Sequence, residues 1–379
     1  MAQRIALGAM TGTSIDGIDL ALARIEGEGL AMRATLVAHR SAPLGALAPR
    51  LRAVAQQQPV TAQEFAQLAL DLGELHAREA LALLREARVD APPALAALHG
   101  QTLFHRPPAS LQLINPHPVA LALRCPVVTD LRGEDLARGG QGAPLTPLAD
   151  WVLLRAPHAR AVVNLGGFAN ATLLPADDAS PPPAQVARIR GRDLCACNQL
   201  LDRAARAAIG ADFDADGATA ARGRADAPAL AALRALLAPP EDGRSLGTGD
   251  ELFAWIDAHA RTLAPADLLA TAAAAVGATI GEALRPAGCA QILLAGGGAR
   301  HRPLAQAIAH AAGVPAAGTD TLGIPVDARE ALEWAVLGAL AADGVDPALP
   351  AVTRRPAGAG DAAASAESRR HGCWTHTSR

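Results

Sequence analysis

The chain has no lysine and no tyrosine; all 34 of its basic residues are arginine, and aromatic residues make up only 2% of it. Without lysine there can be no P-loop, whose ammonium group works on the transferred phosphates, and no Schiff-base chemistry. With few rings to bury, the cores must be packed with Leu, Val, Ile and Ala. Neither sign of charge is in large excess, with 34 basic and 37 acidic residues. A formal net charge of −3 gives no electrostatic reason to expect nucleic acid or an anionic membrane as partner. The five cysteines, at 125, 195, 197, 289 and 373, form no CxxC pair, so neither a disulfide framework nor a zinc ribbon is indicated and a reducing cytosol fits best. The opening MAQRIALGAM is too short an apolar stretch for a signal peptide, and no run reads as a membrane span. A soluble cytoplasmic protein is expected.

What is present is an alternation of strand-like and helix-like segments. At 379 residues the chain can bury two cores of ordinary size, and a cleft between two domains is a natural site. Residues 4–10 and 18–25 read as strands around the loop of GAMTGTSIDGIDLAL. A helical period runs through residues 62–87. ALAALHGQTL and PVVTDLR read as buried strands with polar ends. At RAVVNLGGFANATLLP the strand, polar turn, strand layout returns, which reads as a duplication at domain scale. CNQLLDRAARAAIG and LLATAAAAVGATIGEALRPAG are helical, and QILLAGGGARHRPLAQAIAHAAG is a strand, triple glycine, helix series of doubly wound type. PADDASPPPAQ reads as a surface loop. Residues 351–379 lack periodic hydrophobicity and are expected to form a disordered tail, with Cys373 incidental.

Three glycine-rich turns each follow an apolar strand: GAMTGTSIDGID, NLGGFAN and AGGGARHRP. Glycine lets backbone come close to a ligand and leaves amide N–H groups to hold phosphate oxygens without lysine. A single such turn is more often structural; three in this order point to a nucleotide. In the first, Thr11, Thr13 and Ser14 add hydroxyls, and Asp16 and Asp19 add carboxylates. Carboxylates beside polyphosphate imply a cation, and Mg²⁺ keeps several waters while taking one or two protein carboxylates. Asp16 through water is the candidate ligand. The plainer reading of Asp16-Gly17 is a hairpin turn pair.

Two related halves, each headed by a phosphate turn, with a late triple glycine, resemble the superfamily of actin, sugar kinases and chaperone ATPases. Within it GAMTGTSIDGIDLAL, HGQTLFHRP, VVTDLRGEDLARGGQGAPLTP, VVNLGGFANATLL, LLAGGGARHRPL and GIPVDAREALEWAVLGAL resemble the anhydro-N-acetylmuramic acid kinases, in family order over residues 5–340. The resemblance implies an α/β fold of two duplicated actin-like (ribonuclease H-like) domains with a nucleotide cleft between them. They would comprise residues 1–145 with about 335–350, and residues 146–334. It implies hydrolytic opening of the 1,6-anhydro ring together with ATP-dependent phosphorylation at O6, in cell-wall recycling. Partners would be ATP and the amino sugar, in a homodimer.

On the same resemblance, Gly12, Thr13, Ser14, Ile15, Asp16, Gly17, Ile18, Asp19, Gly166, Gly167 and the Gly296, Gly297, Gly298 run hold ATP and Mg²⁺, the last run around adenosine. His99, Gln101, Arg132 and Glu330 hold the sugar. Arg132 suits the lactyl carboxylate as a bidentate partner, and Glu330 suits hydroxyls or the N-acetyl N–H. His99 reads equally well as a satisfied strand-end histidine. His105, Arg106, His301 and Arg302 are weaker candidates. Asp193 takes the place of the family's catalytic base. A carboxylate just before a helix would be favoured in its ionised form by the helix dipole, or would serve simply as N-cap.

Two departures stand out. The family usually reads Asp-Thr-Gly-Pro-Gly-Asn where this chain has Asp193, Leu194, Cys195, Ala196, Cys197 and Asn198. If those glycines need positive φ or closeness to the sugar, cysteine there strains the loop or crowds the site. That opens a second reading, a homologue that binds nucleotide or muramyl ligand without turnover. A kinase of another sugar is a third. A CxC pair is a poor zinc site, but thiols near a cleft would be open to oxidation. In PPEDGRSLGTGDELF, Glu241 replaces the usual lysine while Gly243 and Arg244 remain.

Overall fold

The computed structural model describes residues 3–12, 14–237, 250–356 and 371–376. Thr13 and the Glu241, Gly243, Arg244 loop lie outside the described residues. Six strands come first: β1 (Gln3–Thr11), β2 (Gly17–Glu26), β3 (Arg33–Pro43), β4 (Leu95–Arg106), β5 (Ala109–Leu113) and β6 (Val127–Thr129). Six follow: β7 (Arg160–Leu165), β8 (Phe168–Leu174), β9 (Arg190–Ala196), β10 (Gln291–Ala295), β11 (Ala316–Gly318) and β12 (Cys373–Thr375). The chain forms two compact units, Met1–Arg155 with Ser180–Ile189 and Ala328–Arg379, and Ala156–Ala179 with Arg190–Asp327.

Each unit carries the same sheet. In unit 1 the order is β12-β6-β4-β1-β2-β3, with β5 on β4; in unit 2 it is β11-β10-β7-β8-β9. In both, the first three strands form an antiparallel meander, and the first strand pairs in parallel with the next long strand, β4 or β10, which pairs in parallel with β6 or β11. Both halves thus have the duplicated actin-like, ribonuclease H-like arrangement of a mixed α/β chain. Carboxyl ends of β1, β4 and β6 fall on one edge of the first sheet, where ligands gather in open α/β sheets.

The pattern of apolar residues explains the layers. The centre of β1 is buried on both faces, as a run such as Ile5–Ala9 requires. The helix Ala62–Glu86 opens with a capping box, in which Thr61 Oγ1 accepts from Glu64 N–H at 3.2 Å and Glu64 Oε2 accepts from Thr61 N–H at 2.9 Å. It buries a stripe of Leu68, Leu72, Leu75 and Leu83 in the unit 1 core. The helix Arg329–Ala342 lies against β1, β2 and β4. It comes so close that a Cβ on Gly8 would sit 2.0 Å from the Ala331 carbonyl oxygen, so β1 needs glycine there.

Three features differ from the sequence reading. The unit boundaries fall at 155/156 and 327/328, because the helix Thr146–Leu154 packs on Arg329–Ala342. The tail is not featureless: Cys373–Thr375 pair antiparallel with Val127–Thr129 at the edge of the first sheet, and His371 Nδ1 meets Glu134 Oε2 at 2.7 Å. One segment, Pro265–Ala287, is long and apolar enough to cross a membrane. Its helix, Pro265–Leu284, buries Leu268, Leu269, Val276 and Ile280 in the unit 2 core instead.

Candidate active site

In unit 1 the β1–β2 turn is held from beneath. Thr11 Oγ1 and His99 Nδ1 both donate to the Gly100 carbonyl, at 2.6 and 2.8 Å. Gln101 Nε2 donates to the carbonyls of Gly12 and Thr102 at 3.2 Å each, which leaves its buried Oε1 without a partner among the described residues. Ile15 N–H closes on the Gly12 carbonyl at 3.2 Å with Ile15 at φ +53°. Arg52 Nη2 donates to the Ile15 carbonyl at 2.8 Å. Asp16-Gly17 is therefore not a two-residue hairpin pair: Thr11 pairs with Ile18, and Gly17 already belongs to β2, where it pairs with Pro43. The side chains of Ile15 and Ile18 enter the core, so only their backbone can serve a ligand. Asp16 is exposed and accepts from Ser14 Oγ at 2.8 Å; Asp19 accepts from Ser41 Oγ at 2.5 Å.

Next to this turn, Arg132 donates from Nη1 to the Gly142 carbonyl at 2.8 Å, and from Nε and Nη2 to His99 Nε2 at 3.3 and 2.9 Å. His99 is 3% exposed. Burial, then the Arg132 charge, pushes its pKa down to about 3, so it is a neutral acceptor. Its ring lies 4.7 Å from that of Trp334. Burial lowers Arg132 to about 10, against the opposing charges of Asp130 and Glu330. Glu330 begins the helix Arg329–Ala342 and belongs to the same cluster. Trp334 was not singled out from the sequence; its signal was its place one turn after Glu330.

Beneath this lies a buried ion cluster that was also missed. Arg329 donates to Asp150 Oδ1 at 3.1 and 2.6 Å and pairs with Glu333 at 2.7 Å. Burial, despite Arg329, drives Glu333 well above the ordinary carboxyl range. The i, i+4 spacing of Arg329 and Glu333 was legible; Asp150 was not.

In unit 2 the carbonyls of the β7–β8 turn are tied to the helix Asn198–Ile209. Cys197 N–H donates to Gly167 O at 2.9 Å, Asn198 N–H to Gly166 O at 2.9 Å and Gln199 N–H to Gly167 O at 3.2 Å. Asn198 Nδ2 donates to the Leu165 carbonyl at 2.8 Å. A Cβ on Gly167 would meet nothing within 4 Å, and one on Gly297 only Asn198 Nδ2 at 3.6 Å. Neither position needs glycine for packing or for positive φ. Gly296 differs: it sits at φ +75° with its would-be Cβ 2.5 Å from Asn164 Oδ1. Gly298 is likewise fixed by Leu165 Cβ at 2.8 Å. His301 is a structural N-cap, Nδ1 accepting from Leu304 N–H at 3.3 Å, and His105 Nδ1 meets Ser110 Oγ at 2.9 Å.

Asp193 is exposed within β9, paired with Asn170 across a bulge. It neither caps nor immediately precedes a helix, since the next one starts at Asn198 with Cys197 as N-cap. The dipole fades beyond the first turn and does not act on it. Neither of the cysteines that follow sits at positive φ. Cys195 pairs with Ala169 in β9, Cys197 has φ −129°, and both side chains are fully buried in the unit 2 core. Burial pushes the Cys195 thiol to about 12 and Cys197 well above its ordinary value, so neither is a ready target for oxidation. No group of three or more His, Cys, Asp or Glu is placed to hold a metal among the described residues.

The family model described as anhydro-N-acetylmuramic acid kinase matches residues 4–363. A relative of that name from Streptomyces coelicolor is 37% identical over 364 residues, covering 92% of this chain and 90% of its own. One from Salinibacter ruber is 35% identical, covering 93% and 94%. One from Bordetella pertussis is 37% identical, covering 92% and 93%. Matched in this way along nearly its whole length, the chain belongs to the anhydro-N-acetylmuramic acid kinase family.

Proposed function

We propose that the chain is an ATP-dependent kinase that opens the 1,6-anhydro ring of anhydro-N-acetylmuramic acid with water and phosphorylates O6. The product is N-acetylmuramic acid 6-phosphate, in cell-wall recycling and amino-sugar catabolism. The family match over residues 4–363 carries this reading. Asp193 is assigned as the base that takes a proton from the attacking water; its carboxylate is exposed, next to the bulge of β9, and open to a water. The 12–19 turn, Gly166, Gly167 and Gly297 are assigned to the nucleotide through backbone N–H groups. Arg132 is assigned to the lactyl carboxylate, and Glu330 to the sugar's hydroxyl or amide hydrogens.

A metal fits only in a limited way. Asp16, exposed at the turn with Ser14 as its neighbour, matches the one or two carboxylates Mg²⁺ takes through water, with phosphate oxygens supplying the rest. The ion would neutralise charge on the phosphates when bound. The rest of the catalysis is positioning by this chain's own groups.

The reading of a homologue that binds without turning over drew on strain after Asp193. Cys195 and Cys197 are buried in the core and neither is at positive φ, so left-handed strain does not support that reading, and the lost hydroxyl and crowding of the sugar are what the assay tests. The assay is ADP release as a function of anhydro sugar, across a small panel of sugars, with Asp193→Asn alongside. Sugar-dependent release, lost in the variant, is expected; nucleotide binding without release would restore the binding-only reading. ATP use and five free thiols, four of them buried and Cys373 exposed, favour the cytoplasm, and a homodimer is testable by sedimentation.

A further inference from the structure

Both nitrogens of His99 are committed within the protein. Nδ1 faces the Gly100 carbonyl, which only accepts, so Nδ1 carries the proton and Nε2 carries the lone pair that receives Arg132 Nε and Nη2. The ring is 3% exposed and tilted against Trp334. It has neither a free nitrogen nor an open face with which to touch a sugar, although the sequence placed it among substrate contacts. Its one link toward ligand chemistry is Arg132. Of the five N–H groups of Arg132, three have partners: two on His99 and one on Gly142. One N–H on each terminal nitrogen remains, the number that the two oxygens of a carboxylate take.

We infer that His99 is a positioning residue that makes the site selective for acidic sugars: by accepting from Arg132 it fixes the guanidinium, leaving one N–H on each terminal nitrogen for a substrate carboxylate. This rests on the assignment of Arg132 to the lactyl carboxylate. Histidine suits the place because it donates at Nδ1, accepts at Nε2 and presents a flat ring to Trp334. A cationic side chain would repel Arg132, and an aliphatic one would release it to turn toward other acceptors.

The test compares binding of two sugars, measured calorimetrically with a non-hydrolysable ATP analogue present. One is anhydro-N-acetylmuramic acid; the other is 1,6-anhydro-N-acetylglucosamine, the same ring without the lactyl acid. His99→Leu is expected to weaken the acidic sugar by about 10- to 100-fold, the range for losing a hydrogen bond to a charged group. It should leave the neutral sugar within about twofold, below the scale of any hydrogen bond. His99→Gln, whose Oε1 can accept from Arg132, should recover part of the loss, and His99→Leu with Arg132→Met should be no weaker than Arg132→Met alone. Should Arg132→Met discriminate between the sugars while His99→Leu weakens both equally, the inference is overturned and the Arg132 assignment stands. Should Arg132→Met also weaken both equally, the assignment itself fails and takes the inference with it. A check free of mutation is the ¹⁵N spectrum of wild-type His99. An Nδ1–H tautomer that does not titrate between about pH 5 and pH 8 is expected; an Nε2–H tautomer overturns the inference.

Discussion

Replacing Gly167 with alanine tests whether the β7–β8 turn is shaped to admit a ligand. The added methyl meets no protein atom within 4 Å, and the residue is not among those at positive φ. The ligand-free protein should therefore keep its structure and gain about 0.4–1 kcal/mol from the reduced freedom of the unfolded chain, which is a rise of about 1–4 °C in Tm. If nucleotide backbone contact occurs here, the same methyl stands where the ligand should be. A nucleotide at about 100 times its Kd stabilises the wild type by about 2.7 kcal/mol. A tenfold loss of affinity cuts that to about 1.4 kcal/mol at the same concentration. The expected pattern is a higher Tm without ATP analogue, a thermal shift with analogue reduced to about half or less, and a raised KM for ATP.

Gly296→Ala is the contrasting control. Its Cβ would fall 2.5 Å from Asn164 Oδ1 at φ +75°, so it should lose about 1–3 kcal/mol before any ligand is added. An unchanged ATP shift and KM in Gly167→Ala would refute the argument that Gly167 is glycine for a ligand's sake.

Other outcomes follow from the same geometry. Asp193→Asn, at an exposed strand position, should change stability by less than about 0.5 kcal/mol while lowering kcat by about 10²–10⁴; a matching fall in Tm would mean that the loss is structural. Cys195→Gly with Cys197→Gly, which restores the family's residues, should lower Tm and leave kcat no higher, because both thiols fill the core; a gain in kcat would revive crowding of the site. His76 is fully buried with Nδ1 against the Leu72 carbonyl at 2.8 Å, and burial lowers its pKa from 6.5 to about 4. The unfolded chain takes up that proton first, so this contribution is complete above about pH 6.5 and is lost as pH falls toward 4, on the order of 3 kcal/mol in all. His76→Leu should flatten stability against pH in that window, leaving the share of His99; an unaltered slope in urea melts between these pH values would contradict it.

What was legible in the sequence was local. The β1–β2 and β7–β8 turns declared themselves because glycine and polar residues interrupt runs of strand period, and their recurrence revealed the duplication that the two sheets share. What was not legible depends on partners distant in the chain. Asp193 looked like a residue before a helix because CNQLLDRAARAAIG is plainly helical; that β9 continues to Ala196 is set by its pairing with β8. The cysteines looked like site residues because they replace glycines, whereas a bulge after Asp193 lies where β9 turns into the unit 2 core. His99 read as a polar strand end from its residues and as a sugar contact from the family resemblance. That Arg132 and Trp334 close upon it is a property of the fold, as is the pairing of three tail residues with β6.

The duplication also shows how one topology yields two kinds of surface. The fourth strand of each unit meets a left-handed glycine, Gly100 within β4 at φ +73° in unit 1 and Gly296 just after β10 at φ +75° in unit 2. Beyond that shared point the units part. In unit 1 the chain runs on as strand to Arg106, zipped to β5, and Gly100 is flanked by His99 and Gln101, whose side chains brace Arg132 and the β1–β2 turn. In unit 2 the chain curls into Gly297–Arg300, with bare backbone at Gly297 and at Gly167. Directional side chains held by buried partners suit a ligand whose separate acid and hydroxyl groups must be told apart, because a mispaired buried group costs about 1–3 kcal/mol. Bare backbone suits a ligand that must come close and is recognised by many amide dipoles together. The divergence after this one glycine supports the proposal that the acid end of the sugar is held by side chains of unit 1 while the glycine turns of unit 2 hold a phosphate-bearing ligand through backbone amides.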